Sequence, residues 1–283
     1  MEHAFSELPL ATFSTLASIG AGAFITLALA FLSGSLKKSQ EKFKKIDRLA
    51  IIPLLLVGIG FIAAMFHLAT PLNALNAFNG IGRSPLTNEV VVGLVFIIVA
   101  GIYWIVGLTG KMGAGLRKVW LSIIAILAIV FAIFIGIAYM IPTIPTWNTP
   151  FAAVSILGYC LLGGALFGLL VLQVAGALKK ASAGSFRAWL IILGLIGAAA
   201  AIVGLLGQFL IAGGIETASH QVEAALPWLI GSIAGLALVL VIAVVSVIGK
   251  PNTGVITLGC FIALCAVFVG RLVFYALYIT VGV

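Results

Sequence analysis

Long apolar runs, unbroken by the alternation of a half-buried strand, are separated by short stretches that hold nearly all the charge of the protein. Continuous apolar segments of about 20 residues read as membrane-spanning helices, whereas barrel strands are shorter and alternate. Eight spans are predicted: Leu10 to Leu32, Leu49 to Leu68, Val90 to Leu108, Val119 to Ile141, Phe151 to Leu178, Trp189 to Ile211, Pro227 to Ile248 and Thr257 to Val281. The predicted fold is an all-α integral membrane protein, a bundle of eight transmembrane helices in one domain, residues 1–283. Two parallel four-helix halves, residues 1–141 and 151–283, are faintly visible, because span one (GAGAFITLALAFLSG) and span five (GGALFGLLVLQVAGA) each precede a basic loop. The small residues in both runs mean, more simply, close helix packing.

The Lys and Arg residues orient the bundle. They fall at 37, 38, 42, 44, 45 and 48 after span one, at 111, 117 and 118 after span three, at 179, 180 and 187 after span five and at 250 after span seven. Of the 15 bases, only Arg83, in an opposite loop, and Arg271, inside the last span, lie elsewhere. Basic loops stay cytoplasmic, so both termini are expected on the outer side, the periplasm of a bacterium, with the protein multi-pass in the inner membrane. A net charge of +8 is therefore a topology signal and not a nucleic-acid surface. The start, MEHAFSEL, has two acids and no Lys or Arg, unlike the n-region of a cleaved signal peptide, so the first helix is expected to stay.

Composition agrees with this reading: 63% of residues are hydrophobic, 8% are charged and the mean hydropathy is +1.33. The three cysteines, Cys160, Cys260 and Cys265, lie in apolar segments without paired spacing, which argues against a disulfide framework or an iron–sulfur ligand set. His3 and His220 belong to the tail and an outer loop, so no two histidines inside the bundle can ligate a haem.

The outward loops are almost uncharged. Ala69 to Gly82 carries Asn73, Asn76 and Asn79, and Ile141 to Pro150 (IPTIPTWNTP) carries three prolines and Trp147. Two readings fit: interfacial segments with Trp147 at headgroup level, or surfaces covered by a partner.

Candidate chemistry gathers at that side. Span two runs outward, which places His67 roughly 27 Å along the helix from Leu49. Ser84 and Pro85 form an N-cap and first-turn pair for span three, so Glu89 lies about one turn inside the next helix at similar depth. Arg271 lies roughly 21 Å along span eight, with Tyr275 on the same face and Gln208 of span six near the same level. Each has an ordinary structural alternative: a helix cap for His67, the headgroup layer for Glu89, snorkelling for Arg271. An Arg271–Glu89 ion pair would hold the site without being its chemistry. Ionisable groups within spans are costly and usually functional, and four helices contribute here.

A surface site with an imidazole and a carboxylate suits a lipid-soluble redox carrier such as quinol. Oxidation releases protons, for which His67 is the base and Glu89 the relay to water. Phe61, Phe66, Phe78, Phe274 and Tyr275 are candidates to wall the ring. With no electron carrier of its own in this sequence, an acceptor must dock on the same face. The competing class is a secondary transporter of a small solute, but that would place its site near the midplane, whereas here the inner halves of the spans look nearly bare. A purely structural anchor would not require His67.

At GIGFIAAMFHLATP, the NEV that opens span three, PTWNTP and GRLVFYALYITVG, the sequence resembles the membrane anchor subunits of bacterial dimethyl sulfoxide reductases. The resemblance implies a haem-free eight-helix subunit that oxidises menaquinol, drawn from the menaquinone pool, with the family's quinol-site histidine and glutamate at His67 and Glu89. It also implies an iron–sulfur partner subunit and a molybdopterin catalytic subunit on the periplasmic face, serving anaerobic reduction of dimethyl sulfoxide or a related oxide. Two departures stand out: Tyr278 occupies a place where the family usually has a histidine, and Ser18 is among the small residues replacing polar ones in span one.

Overall fold

The computed structural model describes residues 1–37, 39–67, 78–178, 184–249 and 252–280. After a short helix α1 (Glu2–Ser6) come α2 (Leu8–Leu32), α3 (Gln40–Leu49), α4 (Ile51–Met65), α5 (Pro85–Leu108) and α6 (Ala114–Ile137). The remaining helices are α7 (Pro150–Val174), α8 (Gly184–Gly213), α9 (Ser219–Ile248) and α10 (Thr253–Ala276). Among the described residues, eight helical segments are long and apolar enough to cross a membrane, with α3 and α4 counted as one. The molecule is thus a multi-pass helical membrane protein.

Burial ranks the helices. In α2 and α7, 83% of the span is buried, against 22–50% in the others. These two form the centre, and small residues let them touch: a Cβ on Gly22 would stand 1.8 Å from the Cys160 carbonyl oxygen, and one on Gly164 would stand 2.2 Å from the Gly22 carbonyl carbon. Thr26 adds an interhelical bond from its hydroxyl to the Gly164 carbonyl, 3.3 Å. Around this axis α4 and α6 pack on α2, α8 and α10 pack on α7, and α9 closes against α8 and α10. Where the bundle turns over after α2 and α7, Lys37 donates its N–H to the Ala177 carbonyl at 2.8 Å.

The helices differ from the predicted spans at their ends. The basic stretch after span one is not all loop: Gln40–Leu49 is amphipathic and buries Phe43, Ile46 and Asp47, while Lys45 is exposed and Lys42 and Lys44 are half-buried. Helix α9 begins at Ser219, ahead of the predicted Pro227, which sits inside it. Helix α5 begins where expected, with the Ser84 hydroxyl accepting the Thr87 N–H at 3.3 Å and Pro85 in the first turn.

The end of the bundle opposite His67 is not bare. Asp47 and Arg117 are both fully buried there and meet at 2.8 Å. Arg117 Nε lies 2.9 Å from Oδ2 and 3.2 Å from Oδ1, and the Tyr103 hydroxyl donates to Oδ1 at 2.7 Å. Arg117 also donates from Nη1 to the Met112 carbonyl. The expectation that Arg117 is a loop base is corrected: neutralised by Asp47, it ties α3 to α5 and α6.

Candidate functional site

Five helices meet at one end of the bundle, where α4 and α10 finish and α2, α5 and α7 begin. His67 follows α4, its N–H bonded to the Ala64 carbonyl at 3.1 Å. Its ring turns to a residue that sequence reasoning left out: His67 Nδ1 lies 3.1 Å from Oε2 of Glu7, which sits between α1 and α2. Glu7 is the N-cap residue of α2 by its main chain, whose carbonyl accepts the Ala11 N–H at 2.9 Å, but its side chain makes no cap bond and is free to face His67.

A third group stands beside them. The His3 imidazole of α1 stacks on Tyr278 at 4.2 Å between ring centres and lies within electrostatic reach of Glu7 and His67. Partial burial pushes His3 below the ordinary histidine value, against the Glu7 carboxylate, which pulls the other way. An imidazole from the N-terminus thus rests against the position at which the resemblance expects a histidine in span eight.

Glu89 is buried in α5, 3% exposed, and no ion pair or hydrogen bond joins it to His67 among the described residues. It belongs instead to the surroundings of Arg271, Tyr139 and Tyr275, with Oε1 unpartnered. The Arg271–Glu89 ion pair that the sequence leaves open is not formed among the described residues. Arg271 is fully buried, donates from Nε to the Ser14 hydroxyl at 2.7 Å and from Nη2 to the Tyr275 hydroxyl at 3.1 Å, and leaves Nη1 unpartnered. Its guanidinium lies 4.1 Å from the centre of the Phe274 ring and 4.9 Å from those of Tyr139 and Tyr275. An aromatic cage replaces the carboxylate as the shell of this cation. The Tyr139 and Tyr275 hydroxyls meet at 2.5 Å.

Gln208 and Trp147 share one task. Helix α10 ends at Ala276, and the Tyr278 N–H bonds to Tyr275, so the Phe274 carbonyl is left without its helical partner. Gln208 Nε2 donates to it at 3.2 Å and Trp147 Nε1 at 3.0 Å. Trp147 is 6% exposed and stacked on Phe274 at 5.0 Å, so the Ile141–Pro150 loop folds over the bundle's own end. Nor do the aromatic candidates form one wall. Phe274 and Tyr275 enclose Arg271, Phe61 packs on Phe13 and Phe131, and Phe66 is 79% exposed with Phe78 also exposed. Asn73 and Asn76 lie outside the described residues.

Comparison with known proteins bears on this arrangement. The sequence matches the family described as DMSO reductase anchor subunit (DmsC) over residues 1–277. It belongs to that family. Similar proteins include two anaerobic dimethyl sulfoxide reductase subunits of Escherichia coli (strain K12), one 32% identical over 294 residues and the other, YnfH, 30% identical over 292 residues. An anaerobic dimethyl sulfoxide reductase subunit of Haemophilus influenzae (strain ATCC 51907 / DSM 11121 / KW20 / Rd) is 30% identical over 283 residues. Each alignment covers 100% of this protein and 98% of the relative.

Within this anchor subunit, sequence reasoning missed Glu7, His3, Tyr139 and Ser14. Glu7 carried a usable signal, an acid two residues ahead of Pro9 at the mouth of the first span. Tyr139 and Ser14 carried none, since a tyrosine at a span end and a serine in a small-residue helix are ordinary in membrane bundles.

Proposed function

We propose that this anchor subunit oxidises menaquinol at the end of the bundle that carries His67 and both termini, which faces the periplasm. It passes the electrons to an iron–sulfur subunit docked over that end, and a molybdopterin subunit uses them to reduce dimethyl sulfoxide or a related oxide. The observation that carries the reading is the imidazole of His67, paired through Nδ1 with a carboxylate at the mouth of an eight-helix bundle of anchor-subunit type.

Oxidation breaks two O–H bonds and releases two protons and two electrons as the quinol becomes a quinone. His67 Nε2 accepts the proton of one hydroxyl and Glu89 serves the other, the substrate bridging two groups that do not touch directly. Glu89 Oε1 and Arg271 Nη1, both unpartnered, are polar atoms that a quinol oxygen or a water would satisfy. Tyr275 and Gln208, whose polar atoms are bonded within the cluster, hold Arg271 and the end of α10 in place. The iron–sulfur subunit takes the electrons singly, on the side where the protons leave.

The test is extraction of the membranes in mild detergent and purification through a tag on this subunit. An accompanying iron–sulfur subunit and a molybdenum-containing subunit are expected. A lone, stable polypeptide would contradict the reading and favour a transporter.

A further inference from the structure

Glu7 is an acid whose main chain opens a helix and whose carboxylate ignores it. At the first turn of α2 an acidic side chain ordinarily accepts a backbone N–H. Here Pro9 removes one such donor, no side-chain cap bond forms, and the carboxylate points across to a residue 60 positions away in sequence, His67, at 3.1 Å. The carboxylate is the more enclosed partner, 14% exposed against 40% for the imidazole.

The segment that carries Glu7 is anchored independently of α4. In α1, Phe5 packs edge-on against Trp228 of α9 at 6.2 Å, and His3 stacks on Tyr278 beyond α10. The position of Glu7 is therefore set by α2, α9 and α10 and imposed on a ring that hangs from the end of α4.

We propose that Glu7 is the positioning residue of His67: its buried Oε2, without a hydrogen-bond partner of its own and 3.1 Å from Nδ1, favours the proton on Nδ1 by its charge and so presents Nε2 as the base. An imidazole that is neutral carries one N–H, and a carboxylate beside one nitrogen draws that N–H to itself and leaves the lone pair on the other. When Nε2 takes a proton, the cation formed lies beside the Glu7 carboxylate, so the same contact that orients the ring stabilises its product. Glu7 touches neither reacting hydroxyl. This inference rests on the reading of His67 as the quinol base.

The test uses the whole complex, a water-soluble quinol analogue and, as a control, a reduced dye that feeds the partner subunits directly. Glu7→Gln keeps size and removes charge; kcat with quinol is expected to fall about 10- to 100-fold, the range for loss of an orienting partner, with KM changed less than about twofold. Dye-driven turnover stays at the wild-type rate. Glu7→Asp, a carboxylate drawn back by one carbon, is expected to fall between wild type and Glu7→Gln. In a His67→Ala background Glu7→Gln should lower the residual rate no further, because the ring it orients is gone. Wild-type kcat in Glu7→Gln, with His67→Ala inactive, overturns the inference and leaves the base intact. An equal further loss on the His67→Ala background also overturns it, since Glu7 would then act elsewhere. If Glu7→Gln does not assemble, Glu7→Asp decides: a wild-type kcat there overturns the inference. Full quinol turnover in His67→Ala removes the underlying reading itself.

Discussion

Arg271 Nε donates to the Ser14 hydroxyl at 2.7 Å, and this bond, not a pair with Glu89, ties the buried cation of α10 to α2. A guanidinium in the interior of a membrane bundle is costly, and here a hydroxyl, a phenol and three ring faces share it while Nη1 stays unpartnered. Ser14→Ala leaves Nε without an acceptor and is expected to cost about 1 to 3 kcal/mol. A lower midpoint for thermal unfolding in detergent, with Ser14→Thr near wild type, would be the sign; no change would mean that the aromatic cage alone suffices.

The Asp47–Arg117 pair makes a different prediction because both charges are fully buried. Removing one partner in Asp47→Asn strands the other and is expected to cost about 3 to 5 kcal/mol, whereas replacing both with apolar residues of similar volume restores much of the loss. Since the pair lies at the end away from His67, KM for quinol in the double variant should match wild type. Stability and quinol kinetics measured on the three proteins check both statements.

Gly22 sets the approach of the two central helices. Alanine there would place its Cβ 1.8 Å from the Cys160 carbonyl oxygen, so α2 and α7 must separate. Overpacking of this kind costs about 1 to 3 kcal/mol or more. Gly58→Ala, where a Cβ meets nothing within 4 Å, is the control and is expected to be close to neutral. Comparable losses at both positions would contradict the close-packed axis.

His3 gives a pH prediction. Its folded value lies below the ordinary 6.5, so the unfolded protein binds its proton more readily. No penalty exists above that ordinary value, and the penalty grows as pH falls through it toward the folded one. Hydrogen exchange at residues 1–12, taken relative to the intrinsic rate at each pH, should therefore speed up below about pH 6. His3→Phe keeps a ring on Tyr278 and cannot titrate, so its exchange should lose that acid-induced increase. The same increase in both would assign it to another group.

Membrane helices were legible because each must be apolar across about 20 residues whatever it packs against. The N-cap at Ser84 was legible too, since its geometry is local. Which polar groups meet was not. Glu89 and His67 flank one loop and suggested a pair, but the helical rotation of α5 turns Glu89 inward to the Arg271 cluster, and the partner of His67 comes from the N-terminal segment. Likewise the charges of Asp47 and Arg117 cancel only once α3 and α6 are packed, so in sequence Arg117 looks like one more loop base. For Trp147 the sequence left two readings, interfacial or covered by a partner; its bond to the carbonyl freed at the end of α10 had no local signal.

The most direct measurement on the account as a whole is quinol-driven turnover of the assembled complex carrying His67→Ala, set beside dye-driven turnover of the same preparation. Loss of a general base predicts at least about a 100-fold fall with quinol and an unchanged rate with dye. Quinol turnover at the wild-type rate, in a complex that still assembles, would contradict it.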